Sequence, residues 1–377
     1  MLSIAKFTYA LYSYRKFKKR KGELQMSFNM AIIGMGGMAG WHVNNIREHI
    51  PEIKIVGGYD VREEANTKAR DEWGVKVYTS PEEIYADKDI DIVLIATPND
   101  VHKDYSINCM EAGKHVICEK PVTMDAPELV EILAVAKKTG KLFSVHQNRR
   151  WDKDYLTIRK ILADGMLKNP YNIESRVQGS RPLYGWRLFK QNGGGLLLDW
   201  GIHLLDQMLD LVPSKVTSVQ AHLHYVYGNE VDDSFTVLLR FENGVSGMVS
   251  ISTNCFVPLP RWHVSCVDGT AVVDDWELGG KIVKQADPDE KDWTVNLVYT
   301  AAGPTRIMLP RPKETTIETP LPEVTGTHWT DYYKNIVDTL NGKAELMVTG
   351  EQALRVMKVI DAVFESGRTG VAVTTGI

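Results

Sequence analysis

Residues 28–40 read FNMAIIGMGGMAG, a short apolar run that passes directly into a glycine-rich turn. The turn matches the pattern G-x-G-x-x-G/A, with Ala39 in the last place. Such a turn follows a strand, here predicted over Phe28–Ile33, and opens a helix. Gly34 permits the tight bend, Gly36 lets the backbone approach a pyrophosphate, and the phosphates lie on free N–H groups at the helix N-terminus. The segment therefore predicts a dinucleotide-binding unit.

A second apolar run, Ile53–Gly58, leads to Asp60, at the place where such units carry an acid that holds the adenine-ribose hydroxyls. The charge of Asp60 repels a 2′-phosphate and so favours NAD over NADP. Arg62 could instead reach such a phosphate, which keeps NADP possible. The predicted cofactor residues of this half of the site are Gly34, Gly36, Gly37, Met38, Asp60 and Arg62.

The region 28–148 alternates apolar strands with helices of 10–15 residues, which is typical of a doubly wound parallel sheet, a Rossmann domain. Asp125 can cap a helix that runs to Thr139. The other predicted helices are Trp41–Ile50, Arg62–Trp73 and Val101–Ala112, and the later strands are Ile90–Ala96, His115–Cys118 and Leu142–His146.

From about residue 149 the pattern changes, and 149–377 is predicted to be an α+β domain with an open, mainly antiparallel sheet. We expect it to bind the substrate. Lys281–Pro322 looks like exposed loops with weak strands, and two closing helices over Thr327–Leu340 and Gly350–Ser366 can pack back on the first domain. The remaining predicted helices are Trp151–Asp164 and Gly201–Leu211, and the strands are Ile173–Val177, Val216–Tyr227, Ser234–Phe241, Gly247–Thr253, Trp262–Val267 and Ala271–Asp275.

The composition, 44% hydrophobic and 24% charged with a net charge of −4, gives no case for nucleic-acid or membrane binding. Four scattered cysteines without a CxxC pair indicate neither a zinc site nor a disulfide framework, and they favour a reducing cytoplasm.

Residues 1–27 form a basic extension, with six basic side chains in Arg15–Lys21. The apolar stretch precedes this cluster, which is the wrong order for a secretory signal. We expect a poorly ordered segment. A basic surface-binding helix is the alternative.

Several short polar motifs follow the predicted strands and helices. They read Ala96-Thr97-Pro98-Asn99-x-x-His102, Glu119-Lys120-Pro121, Gly193-Gly194-Gly195 and Asp199-x-x-x-His203. In this order and spacing they resemble the Gfo/Idh/MocA oxidoreductase family, over nearly everything from Phe28 to the C-terminal helices. Residues 148–152, NRRWD, are similar to the branch that contains scyllo-inositol dehydrogenases.

The resemblance implies sugars, polyols or inositols as substrates, NAD(P) as cofactor, and a homo-oligomer, dimer or tetramer, formed through the open sheet. It also implies Lys120 and His203 as the catalytic pair, with Asp199 as a catalytic and substrate contact. We further expect Thr97, Asn99, His102, Glu119 and Lys120 on the cofactor, and Asn148, Arg149, Trp186 and Arg187 on the substrate.

The chemistry of these residue types agrees with those roles. A histidine has an ordinary pKa near neutrality, so His203 can take and return the proton of a hydroxyl. Asp199, four residues earlier on the same helix face, can accept a hydrogen bond from a substrate hydroxyl or from the imidazole, and Asp206 could orient the ring instead. Asp199 and His203 could also be metal ligands, but no third ligand is evident, so no metal site is predicted.

The leading hypothesis is a cytoplasmic NAD(P)-dependent dehydrogenase of a sugar, inositol or related polyol. An NAD-dependent glycosidase, which oxidises its sugar only transiently, is the alternative within the same family. It would release an aglycone without net NADH. A non-catalytic dinucleotide sensor is a third class, and the presence of both Lys120 and His203 argues against it.

Overall fold

The computed structural model of the protein describes residues 26–287, 297–306 and 312–377. Apart from Met26 and Ser27, the basic extension expected over residues 1–27 lies outside the described residues.

The first domain is built on six parallel strands. Five of them are mostly buried and therefore follow apolar runs in the sequence, whereas the short edge strand Lys76–Val77 is not buried. The strands are β1 (Phe28–Ile33), β2 (Ile53–Tyr59), β3 (Lys76–Val77), β4 (Ile92–Ile95), β5 (His115–Cys118) and β6 (Phe143–Val145). Their order is β3-β2-β1-β4-β5-β6, so the predicted doubly wound dinucleotide-binding fold is confirmed.

Helices cover both faces of this sheet. They are α1 (Gly37–His49), α2 (Glu63–Lys68), α3 (Pro81–Ala86), α4 (His102–Glu111) and α5 (Ala126–Thr139). Asp125 caps α5 as predicted, because its side chain accepts the N–H of Glu128 at 3.0 Å. The first helix begins at Gly37 rather than at Trp41, so the glycine-rich segment itself supplies its first turn. The expected helix over Arg62–Trp73 is α2 followed by a π-helical turn.

The second domain carries nine strands in the order β16-β13-β12-β11-β7-β10-β9-β8-β17. All neighbours are antiparallel except β7 and β10, which confirms a mainly antiparallel sheet. The strands are β7 (Pro170–Gln178), β8 (Val216–His224), β9 (Ser234–Phe241), β10 (Ser246–Ser252), β11 (Trp262–Cys266), β12 (Gly269–Val273), β13 (Gly280–Gln285), β16 (Thr316–Thr319) and β17 (Val373–Thr374). A separate hairpin joins β14 (Leu297–Thr300) to β15 (Gly303–Arg306).

Four helices accompany this sheet: α6 (Lys153–Ala163), α7 (Ile202–Leu211), α8 (Asp331–Leu340) and α9 (Gly350–Thr369). Helix α8 returns to the first domain, where Tyr333 and Ile336 share an apolar cluster with Met30 of β1 and Val43 of α1. A larger core is continuous from the parallel sheet through α9 to the second sheet. The two domains are therefore packed on a common interior, with their loops meeting above β5.

None of the helices in the described parts of the chain combines the length and apolar character needed to cross a membrane. All four cysteines are free, and Cys109, Cys118 and Cys266 are buried.

Candidate active site

The glycine turn places β1 against the end of β4. Gly34 has a φ of 93°, and a Cβ added there would lie 2.6 Å from the carbonyl oxygen of Ala96, so only glycine fits without moving backbone. Gly36 caps α1 with no side chain on the first N–H groups, and a Cβ on Gly37 would meet open space. The first turn of a 13-residue helix is thus left open to an anion.

A cleft of about 480 Å³ adjoins this helix terminus, and Met38 beside it is 42% exposed. The open N–H groups and the cleft together fit the pyrophosphate and adenosine of a dinucleotide. The cleft is lined by Met35, Gly36, Gly37, Gly40, Trp41, Asn44, Arg62, Glu64, Ala65, Lys68, Glu72 and Trp73.

Asp60 lies at the end of β2, beside the cleft. Its carboxylate accepts the N–H of Met35 at 2.8 Å and that of Arg62 at 2.9 Å, and the Arg62 guanidinium adds bonds of 3.1 and 3.2 Å. Burial raises the pKa of Asp60, but the hydrogen bonds from Arg62 and Met35 outweigh it, and the pKa lies below its usual value. Asp60 is therefore an anion, partly neutralised by an Arg62 side chain that is 63% exposed.

Lys120 and Asp199 join the two domains. The Lys120 ammonium donates to the carbonyl oxygen of Asp199 at 2.7 Å and to its carboxylate at 3.0 Å, while Arg187 donates to the other carboxylate oxygen at 2.8 Å. Burial raises the pKa of Asp199, but Lys120 and Arg187 outweigh it, so the pKa is lowered. The Lys120–Pro121 peptide bond is cis.

His203 lies buried in α7, and its Nδ1 is 2.7 Å from Oε1 of Gln147. Because an amide oxygen only accepts, this contact fixes the proton on Nδ1 and leaves a lone pair on Nε2. No hydrogen bond within the described residues engages Nε2. Burial, followed by the positive charges of Lys120 and Arg149, holds the pKa of His203 well below its usual value. The ring is therefore neutral and able to accept a proton.

Glu119 was expected on the cofactor, but the structure places its carboxylate behind the site. Its Oε1 is 2.8 Å from Nε2 of His42 and 2.9 Å from Nδ1 of His146, and its Oε2 accepts the N–H of Lys120. Burial raises the pKa of Glu119, but the two histidines outweigh it and hold the pKa well below its usual value. Tyr333 of α8 contacts the far nitrogen of His42 at 2.7 Å.

The side chains of His42, Glu119 and His146 offer ligand atoms that could hold a metal ion. Two of the ligand-to-ligand separations, 2.8 and 2.9 Å, are hydrogen-bond distances. A tetrahedral zinc site would hold its ligand atoms about 3.3 Å apart. The geometry therefore fits hydrogen bonds between Glu119 and the two histidines better than a metal ion.

Two further residues expected on the cofactor, His102 and Asn99, make contacts within the protein. His102 is fully buried, and its ring nitrogens contact the carbonyl oxygens of Thr97 and Pro121, each at 3.0 Å, so it holds two loops together rather than facing the cleft. Asn99 donates to the carbonyl oxygens of Asn192 and Gly193 and so ties β4 to the glycine-rich loop of the second domain.

The residues expected on the substrate surround Asp199 and His203. Arg187 stacks on the half-exposed ring of Trp186 at 4.7 Å, and Asn148 is buried at the start of a turn that follows Gln147. Arg149 lies 4.0 Å from the ring of Trp200, which neighbours His203. The structure thus brings a lysine, a neutral histidine and several hydrogen-bond donors together beside a dinucleotide cleft.

Comparison with known proteins agrees with this geometry. A family model described as the oxidoreductase family with an NAD-binding Rossmann fold matches residues 28–147, and the model of the GFO/IDH/MocA C-terminal domain matches residues 155–272. The chain belongs to the Gfo/Idh/MocA oxidoreductase family. It is an NAD(P)-dependent oxidoreductase, as predicted.

Two of the relatives within the Gfo/Idh/MocA family match most of the chain, and a third matches more than half of it. The crystal structure of an NAD-binding protein from Listeria innocua is 40% identical, with a TM-score of 0.84 over 93% of this chain and all of its own. The NADP-dependent scyllo-inositol 2-dehydrogenase of Bacillus subtilis is 29% identical over 88% of this chain and 93% of its own length. The NAD-dependent scyllo-inositol 2-dehydrogenase of the same organism is 30% identical over 59% and 66%.

Asp206 requires a correction within this Gfo/Idh/MocA site. The sequence allowed it to orient His203, but both its oxygens bind the buried guanidinium of Arg150, at 2.6 and 2.7 Å. Arg150 also contacts Asp210 of α7 and Gln352 of α9. Asp206 therefore anchors α7 to the rest of the fold, and Gln147 is the side chain hydrogen-bonded to the His203 ring.

Sequence analysis did not identify Gln147, nor the tryptophans Trp200, Trp276 and Trp329 around Arg149. Gln147 directly precedes Asn148 and Arg149, which were expected on the substrate. Its place beside that motif is the signal that could have identified it. The tryptophans come from three distant segments, and only the fold brings them together.

The Arg150 pair yields a prediction about stability. Arg150→Met would leave Asp206 as an unpaired buried charge, and should lower the free energy of unfolding by about 3–5 kcal/mol. Arg150→Met combined with Asp206→Leu should regain most of that loss. Urea unfolding of both variants measures it, and a loss below about 1 kcal/mol in the single variant would contradict a structural role.

Proposed function

We propose that the enzyme oxidises a secondary alcohol of a sugar, inositol or related polyol, with His203 as the base. The observation that carries this proposal is the ion pair of Lys120, from the cofactor domain, with Asp199 of the second domain, near enough to His203 for the lysine charge to lower the pKa of that ring. The relatives named as inositol dehydrogenases support the substrate class.

His203 is arranged to take the hydroxyl proton. Its Nδ1–H is donated to Gln147, so Nε2 accepts the proton as the carbinol carbon loses hydride. The nicotinamide, when bound, supplies the acceptor for that hydride. In the reverse direction the same nitrogen returns the proton.

Lys120 stabilises negative charge on the reacting oxygen. Two of its ammonium protons go to Asp199, which aims the nitrogen and leaves the third for the substrate. A donor placed in advance favours the developing alkoxide without later reorganisation. Asp199 and Arg187 can bind neighbouring hydroxyls, with Asn148, Arg149 and Trp186 as further substrate contacts.

Asp60 favours NAD over NADP in this proposal, because an anionic carboxylate repels a 2′-phosphate. Thr97 and Asn99, after β4, are proposed to face the nicotinamide half. We place the enzyme in the cytoplasm as a homo-oligomer, dimer or tetramer, formed through the second sheet.

The function is tested with a panel of inositols, aldoses and glycosides, with NAD or NADP, read at the NADH absorbance band. Steady net reduction with at least one polyol is expected. Release of an aglycone without net NADH would indicate the glycosidase instead, and no turnover with any compound would contradict the proposal.

The variant His203→Ala tests whether His203 is the base. It should lower kcat/KM by a factor of about 100 to 10,000 while cofactor binding stays unchanged. Because the pKa of His203 is held below its usual value, the base stays unprotonated as pH falls, and wild-type kcat/KM should decline only below about pH 6.5. Activity within a few-fold of wild type in the variant would remove His203 as the base.

The cofactor assignment has its own test. Asp60→Ala should weaken NAD binding by about tenfold or more, since the ribose hydroxyls lose a charged acceptor. It should also reduce the difference between the affinities for NAD and NADP. Titration of both cofactors by protein fluorescence measures this, with Asp71→Ala as an exposed control. Unchanged NAD affinity would contradict the ribose contact.

A further inference from the structure

Three tryptophans converge on the guanidinium of Arg149. Its central carbon lies 4.0 Å from the ring of Trp200, 5.4 Å from Trp329 and 5.8 Å from Trp276. We name Trp200, Trp276, Trp329 and Arg149 together the tryptophan platform. Its members come from four separate segments of the chain, between residues 149 and 329.

Buried carboxylates fix the platform from behind. Asp152 accepts the indole N–H of Trp329 at 2.7 Å and a guanidinium N–H of Arg149 at 3.1 Å. Arg261 lies under Trp276 at 4.8 Å and pairs with the buried Asp154 at 2.9 Å. The ring of Trp329 is therefore oriented by a hydrogen bond, and the ring of Trp276 packs on a guanidinium that a buried ion pair holds in place.

The platform begins at the catalytic histidine and leads away from it. The ring of Trp200 lies 6.3 Å from that of His203, and the ring of Trp276 lies a further 6.3 Å from Trp200. Trp329 lies 5.8 Å from Trp41, which lines the dinucleotide cleft. A sugar ring that presents its hydroxyl to His203 would lie beside Trp200, and Trp276 and Trp329 would then lie about one ring further out.

These two outer rings are partly exposed, since Trp276 is 44% and Trp329 is 36% exposed. Large aromatic faces held rigidly toward water beside a reactive site indicate a ligand with apolar faces. The C–H faces of a pyranose satisfy an indole, and the N–H groups of Arg149 satisfy its hydroxyls.

Resting on the function proposed above, we infer that the substrate carries a second ring, and that it is a disaccharide or other glycoside whose outer ring binds Trp276 and Trp329. The reacting ring occupies the space between Lys120 and His203. Binding energy from the outer ring then positions the reacting carbon, so the gain appears in kcat/KM.

The experiment compares one-ring with two-ring compounds at the NADH band: glucose with cellobiose and maltose, galactose with lactose, and myo-inositol with its galactoside. In at least one pair the two-ring compound should have a kcat/KM about tenfold higher. Trp276→Ala and Trp329→Ala should each reduce that ratio toward one and leave kcat/KM for the one-ring compound within about twofold. Trp276→Phe should keep most of the ratio.

Tyr171→Ala is the control. Tyr171 is another exposed aromatic residue of the second domain, lies on β7 and is 55% exposed. It should leave the ratio unchanged. Equal kcat/KM within every pair, or ratios that survive both alanine variants in folded protein, would overturn the second-ring inference while the proposed oxidation stands. Absence of turnover with all of these compounds and with the simple polyols would overturn the proposed function itself, and the inference with it.

Discussion

The arrangement of the site depends on one buried carboxylate, that of Glu119 at the end of β5. A charge in this position must be fully hydrogen-bonded, because burial without partners costs several kcal/mol. Its partners are His42 of α1, His146 after β6 and the backbone N–H of Lys120. Through His42 it also reaches Tyr333 of α8. A single anion thus holds together α1, Lys120 and helix α8 of the second half of the chain.

The charged groups next to Glu119 determine the chemistry of the site. Lys120 continues directly from Glu119 and finds Asp199 across the domain boundary. The positive charges of Lys120 and Arg149, together with burial, keep His203 neutral, and Gln147 fixes which of its nitrogens carries the proton. The site thus supplies a neutral base and a cationic donor near enough for its charge to lower the pKa of that base, and removal of a proton from an alcohol requires both groups. The buried Arg150–Asp206 pair holds α7, the helix that carries His203, in register.

Much of this could be predicted from the sequence. The period of the apolar runs and the glycine turn were sufficient for the parallel sheet, and the motifs around Lys120 and Asp199–His203 selected residues that the fold brings together at the candidate site. What the motifs could not distinguish was the direction of each side chain. Glu119 and His102 follow strands at the correct edge of the sheet, yet both turn inward, because burial and available partners decide the rotamer. Asp206 had the correct helical spacing to reach His203, but a guanidinium from a distant segment occupies it. Contacts between residues far apart in sequence, such as the tryptophan platform, leave no local pattern.

In the proposed reaction, hydride passes directly from a carbinol carbon of the substrate to the cofactor and stays there. The most direct measurement uses a substrate from the panel with deuterium on its ring carbons and follows the label by mass spectrometry. One deuterium on the nicotinamide for each molecule of ketone product is the predicted result. Deuterium returned to the product, or lost to water with no labelled cofactor, would contradict net hydride transfer from the substrate to the cofactor.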